Sequence, residues 1–98
     1  MVTRKAFAKA LRETRKARGL TQEDFSTVSS RTYLSALERE LKNPTLDKID
    51  ELASILKIHP LTLLTMTYAY ANRSETDKSL MVKINREIRE LRALNKKR

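Results

Sequence analysis

The chain has 98 residues, of which 21 are Lys or Arg and 12 are Asp or Glu, for a formal net charge of +9; it contains no cysteine and one histidine. That length makes one domain with a modest core and an appended helix, not a large catalytic cleft. The missing cysteines exclude disulfides and thiolate metal sites, His59 alone is too little for histidine-based chemistry, and the acidic residues lack paired or metal-ligand spacing, so no enzyme and no cofactor are expected.

The basic excess points to a polyanion, nucleic acid ahead of an anionic membrane surface. It is not confined to a tail. Residues 74–98 carry eight basic and four acidic groups, a net of +4, which leaves +5 for residues 1–73. No apolar run of about 18 residues and no signal-peptide core are present, so a cytoplasmic protein without a membrane span is expected. One glycine and two prolines, with no strand-length alternation, predict an all-α fold.

The first helix is predicted from about Thr3 to Arg18, with Phe7, Leu11 and Thr14 on its apolar face and Gly19 as the positive-φ residue that ends it. Thr21 is a good N-cap for a short second helix, with Asp24 three residues on and Phe25 and Val28 on its buried side. Ser29 or Ser30 caps the third helix, with Ser30 preferred. That helix covers about Arg31 to Leu41, with Leu34, Leu37 and Leu41 inward and Arg31, Thr32, Ser35, Ala36 and Arg39 outward. "KNPT" (Lys42–Thr45) breaks the chain, and Thr45 caps a fourth helix, about Leu46–Leu56, with the stripe Leu46, Ile49, Leu52, Ala53 and Leu56. Pro60 opens a fifth helix that Leu61, Leu63 and Leu64 bury and that extends to about Asn72. "RSETD" is a polar break, with Ser74 and Asp77 in capping-box relation. A last helix spans roughly Thr76–Asn95, with Met81, Ile84, Ile88 and Leu91 in 3-4-3 spacing, a narrow apolar seam two heptads long.

Two helices joined by a tight turn, the second apolar inside and bearing hydroxyls and arginine outside, suit the DNA major groove. The groove admits an α-helix; Arg reaches guanine O6 and N7, and Ser or Thr serves donors or acceptors. Long flanking side chains such as Arg39 suit phosphates.

From about Phe7 to Leu64 the chain resembles the Xre/Cro-type, lambda repressor-like helix-turn-helix regulators. "LRETRKARGLTQEDF" is similar to their first helix, glycine and Gln-bearing second helix; "SRTYLSALERE" to their recognition helix; "KNPTLDKIDELASILKIHPLTLL" to their two closing helices. The resemblance implies a five-helix DNA-binding domain, here residues 1–72, followed by a C-terminal helix in residues 73–98. It implies that Arg31, Thr32, Ser35 and Ala36 meet bases, that Gln22 contacts phosphate and braces the recognition helix, and that Tyr33, Lys42 and Asn43 lie near the DNA backbone. It also implies that Arg15 and Glu38 form a charged pair tying the first helix to the third. The chain departs from the pattern in a second helix and turn about two residues shorter, in the absent turn glycine, in Thr14 for an aliphatic, and in Glu40 where glycine is usual, which suggests a third helix that runs further.

The expected function is a sequence-specific transcriptional regulator, a repressor by default, binding double-stranded DNA as a homodimer through Met81, Ile84, Ile88 and Leu91. Two alternatives remain at this level: an antitoxin or restriction-modification or phage controller, with a partner protein on the C-terminal helix, and a protein-interaction module that does not bind DNA.

Overall fold

Five α-helices and one 3-10 turn make up the computed structural model, which describes residues 2–97. They are α1 (Val2–Ala17), the 3-10 turn (Gln22–Phe25), α2 (Arg31–Glu38), α3 (Leu46–Leu56), α4 (Pro60–Ala71) and α5 (Asp77–Lys96), with no strand among the described residues. Met1 and Arg98, the outer limits of the two expected segments, lie outside the described residues.

Local signals end most helices where the sequence places them. Gly19 takes φ 70°, and the amides of Gly19 and Leu20 fold back onto the carbonyls of Lys16 and Arg15, closing α1. The Thr45 hydroxyl accepts from the Lys48 amide at 3.1 Å and starts α3. His59 caps α4 through Nδ1, which accepts from the Leu61 amide at 3.0 Å, and Pro60 fills the first position, where no amide is needed. The C-terminus of α3 is held by α1: Arg18 donates from Nε to the Leu56 carbonyl at 2.9 Å, a cation on the negative end of the helix dipole.

Phe7, Ala10 and Leu11 of α1 join Phe25, Leu34, Leu37, Ile49, Leu52, Leu56 and Leu63 in a single core. α1 packs chiefly against α4, and Tyr70 of α4 donates its hydroxyl to Glu13 of α1, which pushes the phenol up to about 12. Thr14 is buried in place of an aliphatic because its hydroxyl donates to the Ala10 carbonyl at 2.7 Å, so no polar atom is stranded.

Five expectations are corrected. Leu41, Leu46 and Leu61 do not face the core; they are 57%, 77% and 44% exposed. Leu46 and Leu61 sit in the first turns of α3 and α4, ahead of the point where those helices cross the core. Leu41 lies beyond α2, which ends at Glu38 instead of running further. The cause is Glu40, which adopts φ 66° as a glycine would: Leu41 donates to the Ala36 carbonyl at 2.9 Å and Glu40 to that of Leu37 at 3.2 Å, a Schellman closure. Finally, α5 is capped by Thr76 and Ser79, each hydroxyl accepting from the other's amide at 3.0 and 2.8 Å, whereas Ser74 bonds to Asn72.

The Glu40 conformation makes a stability prediction. A non-glycine residue in the left-handed region is strained, partly offset by its smaller entropy loss on folding. Glu40→Gly is therefore expected to stabilise the protein by about 0.5–1 kcal/mol, read as a higher midpoint in urea at unchanged slope.

Candidate nucleic-acid interface

The segment that presents α2 is shorter than a usual helix-turn-helix, and its local bonds explain how it still turns. The expected second helix is a single 3-10 turn. Asp24 accepts at Oδ2 from the Thr21 amide at 2.7 Å, which opens the turn, and Phe25, fully buried, anchors it. The amides of Val28 and Ser29 both donate to the Phe25 carbonyl, at 3.0 and 2.9 Å, so the chain reverses without glycine. Lys48 of α3 donates from Nζ to the Val28 carbonyl at 2.5 Å, occupying the acceptor that the tight turn leaves over. Ser30 then starts α2, its hydroxyl accepting from the Tyr33 amide at 3.1 Å.

Leu34 and Leu37, both fully buried, hold α2 to the core; each such burial is worth about 1.5–3 kcal/mol. Charged groups fix the far end. Glu38 is 5% exposed and receives two bonds from Arg15, Nε to Oε2 at 2.7 Å and Nη2 to Oε1 at 2.9 Å. Gln22 adds a third, from Nε2 to Oε1 at 3.2 Å, and Arg12 donates to the Glu38 carbonyl at 2.9 Å. Arg15 also donates to the Leu20 carbonyl at 2.9 Å, so one guanidinium joins α1, the loop after it and α2. The bond to Glu38 raises the Arg15 pKa above its ordinary value. Among the described residues, no buried side-chain nitrogen or oxygen lacks a partner.

Opposite this braced side, Arg31, Thr32 and Arg39 are exposed and Ser35 is half-buried. Their spacing of i, i+1, i+4 and i+8 puts them on one face of the helix. Ala36 is not on that face: it is 6% exposed, packed inward with Leu37. A wide apolar stripe takes Leu34, Ala36 and Leu37 together, so the outer face is narrower than the sequence pattern implies. The half-buried ring of Tyr33 has two ammonium groups over it, Lys42 Nζ at 5.4 Å and Lys48 Nζ at 5.5 Å from its centroid. Asn43 is exposed, and its Oδ1 accepts from Arg4 Nε of α1 at 3.1 Å.

Sequence reading missed Arg4, Arg12 and Lys48. Arg12 had a signal, since it lies one turn before Arg15 on the same face of α1. Arg4 and Lys48 had none, because their partners are 39 and 20 residues away.

The α5 residues Met81, Ile84, Ile88 and Leu91 form a line that begins on the domain and leaves it. Met81 shares a depression with Leu61 and Met66 of α4, and Ile84 is half-buried. Ile88 and Leu91 are 42% and 62% exposed. None of the described helices is long and apolar enough to cross a membrane.

A helix-turn-helix family model matches residues 11–63, which run from Leu11 of α1 to Leu63 of α4 and include every group that braces or borders the outer face of α2 except Arg4. The chain is also similar to y4dJ, an HTH-type transcriptional regulator of Sinorhizobium fredii, at 44% identity over 55 residues that make up 54% of this chain and 71% of that protein. No solved structure matches it. The braced α2, the tight turn before it and the match across both place the chain in the Xre/Cro-type, lambda repressor-like helix-turn-helix family of DNA-binding domains.

Proposed function

We propose that this protein is a sequence-specific transcriptional regulator that lays α2 in the DNA major groove. The observation that carries this is the outer face of α2, with Arg31 and Thr32 exposed beside Ser35 on a helix whose opposite side is locked by Leu34, Leu37 and the Arg15–Glu38 pair. A rigid helix offering a bidentate donor and two hydroxyls is the chemistry that base edges require. The resemblance to an HTH-type transcriptional regulator supports the same reading.

In this reading Arg31, Thr32 and Ser35 read bases, while Ala36 keeps the helix close to the core. Gln22, Arg39, Lys42 and Asn43 face the DNA backbone; Gln22 gives one amide hydrogen to Glu38 and has its second for a phosphate. Tyr33 orients Lys42 through its ring. Residues 1–72 are the DNA-binding domain and residues 73–98 the dimerisation segment. Two copies bind a near-palindrome with half-sites about one helical turn apart, in the cytoplasm, and repress by occluding the promoter.

Selection of bound sequences from a random DNA pool, followed by titration of the selected site at several salt concentrations, tests this. A symmetric site with two half-sites is expected. With about three phosphates neutralised per half-site, log K falls against log salt with a slope of about −5. No binding to DNA at low salt ends the proposal.

A further inference from the structure

α5 is 20 residues long and none of its residues is buried; the domain covers the start of its apolar line, where Met81 lies beside Leu61 and Met66 and Ile84 is half-buried, and leaves Ile88 and Leu91 42% and 62% exposed and in need of a cover. The line has a register. With Met81 and Ile88 at the first core position of a heptad, Ile84 and Leu91 take the second, and Asn95 falls on the next first position. The residues flanking the seam are then Leu80, Glu87 and Leu94 on one side and Lys78, Asn85 and Arg92 on the other.

Orientation follows from charge. When two such helices run parallel, a flanking residue on one meets the flanking residue of opposite side five positions on in its partner. Glu87 therefore meets Arg92 of the second copy, twice by symmetry. When they run antiparallel with the same four apolar layers, flanking residues meet their own kind: Glu87 lies against the second copy's Glu87, and Lys78 against its Arg92. Like charges so placed oppose that alignment. The exposed core positions agree. Ile88 followed by Leu91 is a β-branched first position with leucine at the second, which favours two parallel strands; Met81 and Ile84, which lie against the domain, do not carry that pattern, and one asparagine at a first position fixes register.

From this we infer that α5 pairs in parallel with α5 of a second copy of this chain, in register, with Glu87–Arg92 pairs flanking the Ile88–Leu91 layers and the two Asn95 side chains facing each other. This rests on the homodimer reading above and adds its geometry. Parallel pairing puts both DNA-binding domains at the same end of the paired helices. Their α2 faces are then related by a two-fold axis along the pair, the symmetry of a palindromic site.

The chain has no native cysteine, so a single one reports orientation cleanly. Asn95→Cys in the full chain is expected to form a disulfide-linked dimer under mild oxidation, because the two positions touch only in the parallel register. Glu87→Arg is expected to raise the dimer dissociation constant about tenfold by sedimentation, and Glu87→Arg with Arg92→Glu to restore it within about twofold, as reversed surface pairs do. A wild-type dimer whose Asn95→Cys variant gives no disulfide overturns the parallel pairing and leaves the homodimer intact. A disulfide without rescue by the double reversal overturns the Glu87–Arg92 register. A wild-type chain that sediments as a monomer at about 100 μM, far above the range of a useful dimer, overturns both.

Discussion

Glu38→Ala is expected to destabilise the protein by about 3–5 kcal/mol, because it strands a buried charge rather than trimming a surface one. Arg15 loses both of its carboxylate bonds at 2.7 and 2.9 Å and is only 13% exposed, so water cannot fully replace them. Gln22 loses its partner as well. At about 4–8 °C per kcal/mol for a domain of this size, the melting temperature falls by at least about 12 °C. Calorimetry of Glu38→Ala, Arg15→Met and Arg15→Met with Glu38→Met separates the causes. If stranding is the mechanism, removing both charges recovers most of the loss. If the double variant is as unstable as the sum of the singles, the pair stabilises by its own attraction and the reasoning from burial is wrong. Glu38→Ala is also expected to weaken binding to the selected DNA site in proportion to the unfolded fraction and to the freedom α2 gains.

Arg31→Ala is expected to cost about 1–3 kcal/mol on the preferred DNA site, about fivefold to 150-fold in affinity, and almost nothing on random DNA. Arg31 is the first residue of α2 and is exposed, with no ion pair in the described structure to lose, so stability should be unchanged. The comparison between the two DNAs decides its role. A loss confined to the selected site marks a base contact. An equal loss on both, with a salt slope shallower by about 0.9, moves Arg31 to the phosphate set.

How much of this was legible in the sequence differs between elements. Gly19, Ser30, Thr45 and Pro60 signal helix ends by their own chemistry, and each sits at the end it signals. Leucines three and four apart inside α2 and α3 gave the core face. The errors lie at the edges of helices. Leu46 and Leu61 fit an apolar period but precede the crossing with the core, and periodicity carries no information about where a neighbour begins. Glu40 reads as a helix former, yet the chain after α2 must reverse toward Pro44, and tertiary geometry overrode propensity.

For the candidate site, the outer face of α2 was readable as a pattern of Arg, Thr and Ser opposite leucines. What fixes that face was legible only in part: the family resemblance implied Gln22 as a brace and the Arg15–Glu38 pair, whereas Lys48 closing the turn at Val28 and Arg4 on Asn43 join residues 20 and 39 positions apart, and no local rule links them. The inward position of Ala36 is of the same kind, because a small residue at the border of a stripe goes wherever the neighbouring helices leave space.

Composition, capping residues and period thus determined by themselves an all-α, strongly basic chain with a tight turn before Arg31 and a C-terminal helix, because these are local preferences that each residue carries with it. The tertiary structure decided where α2 stops, which of its residues remain outside, and that a 3-10 turn held by Phe25 and Lys48 can replace a full helix and its glycine. Those outcomes depend on contacts between distant segments, which exist only once the core has formed.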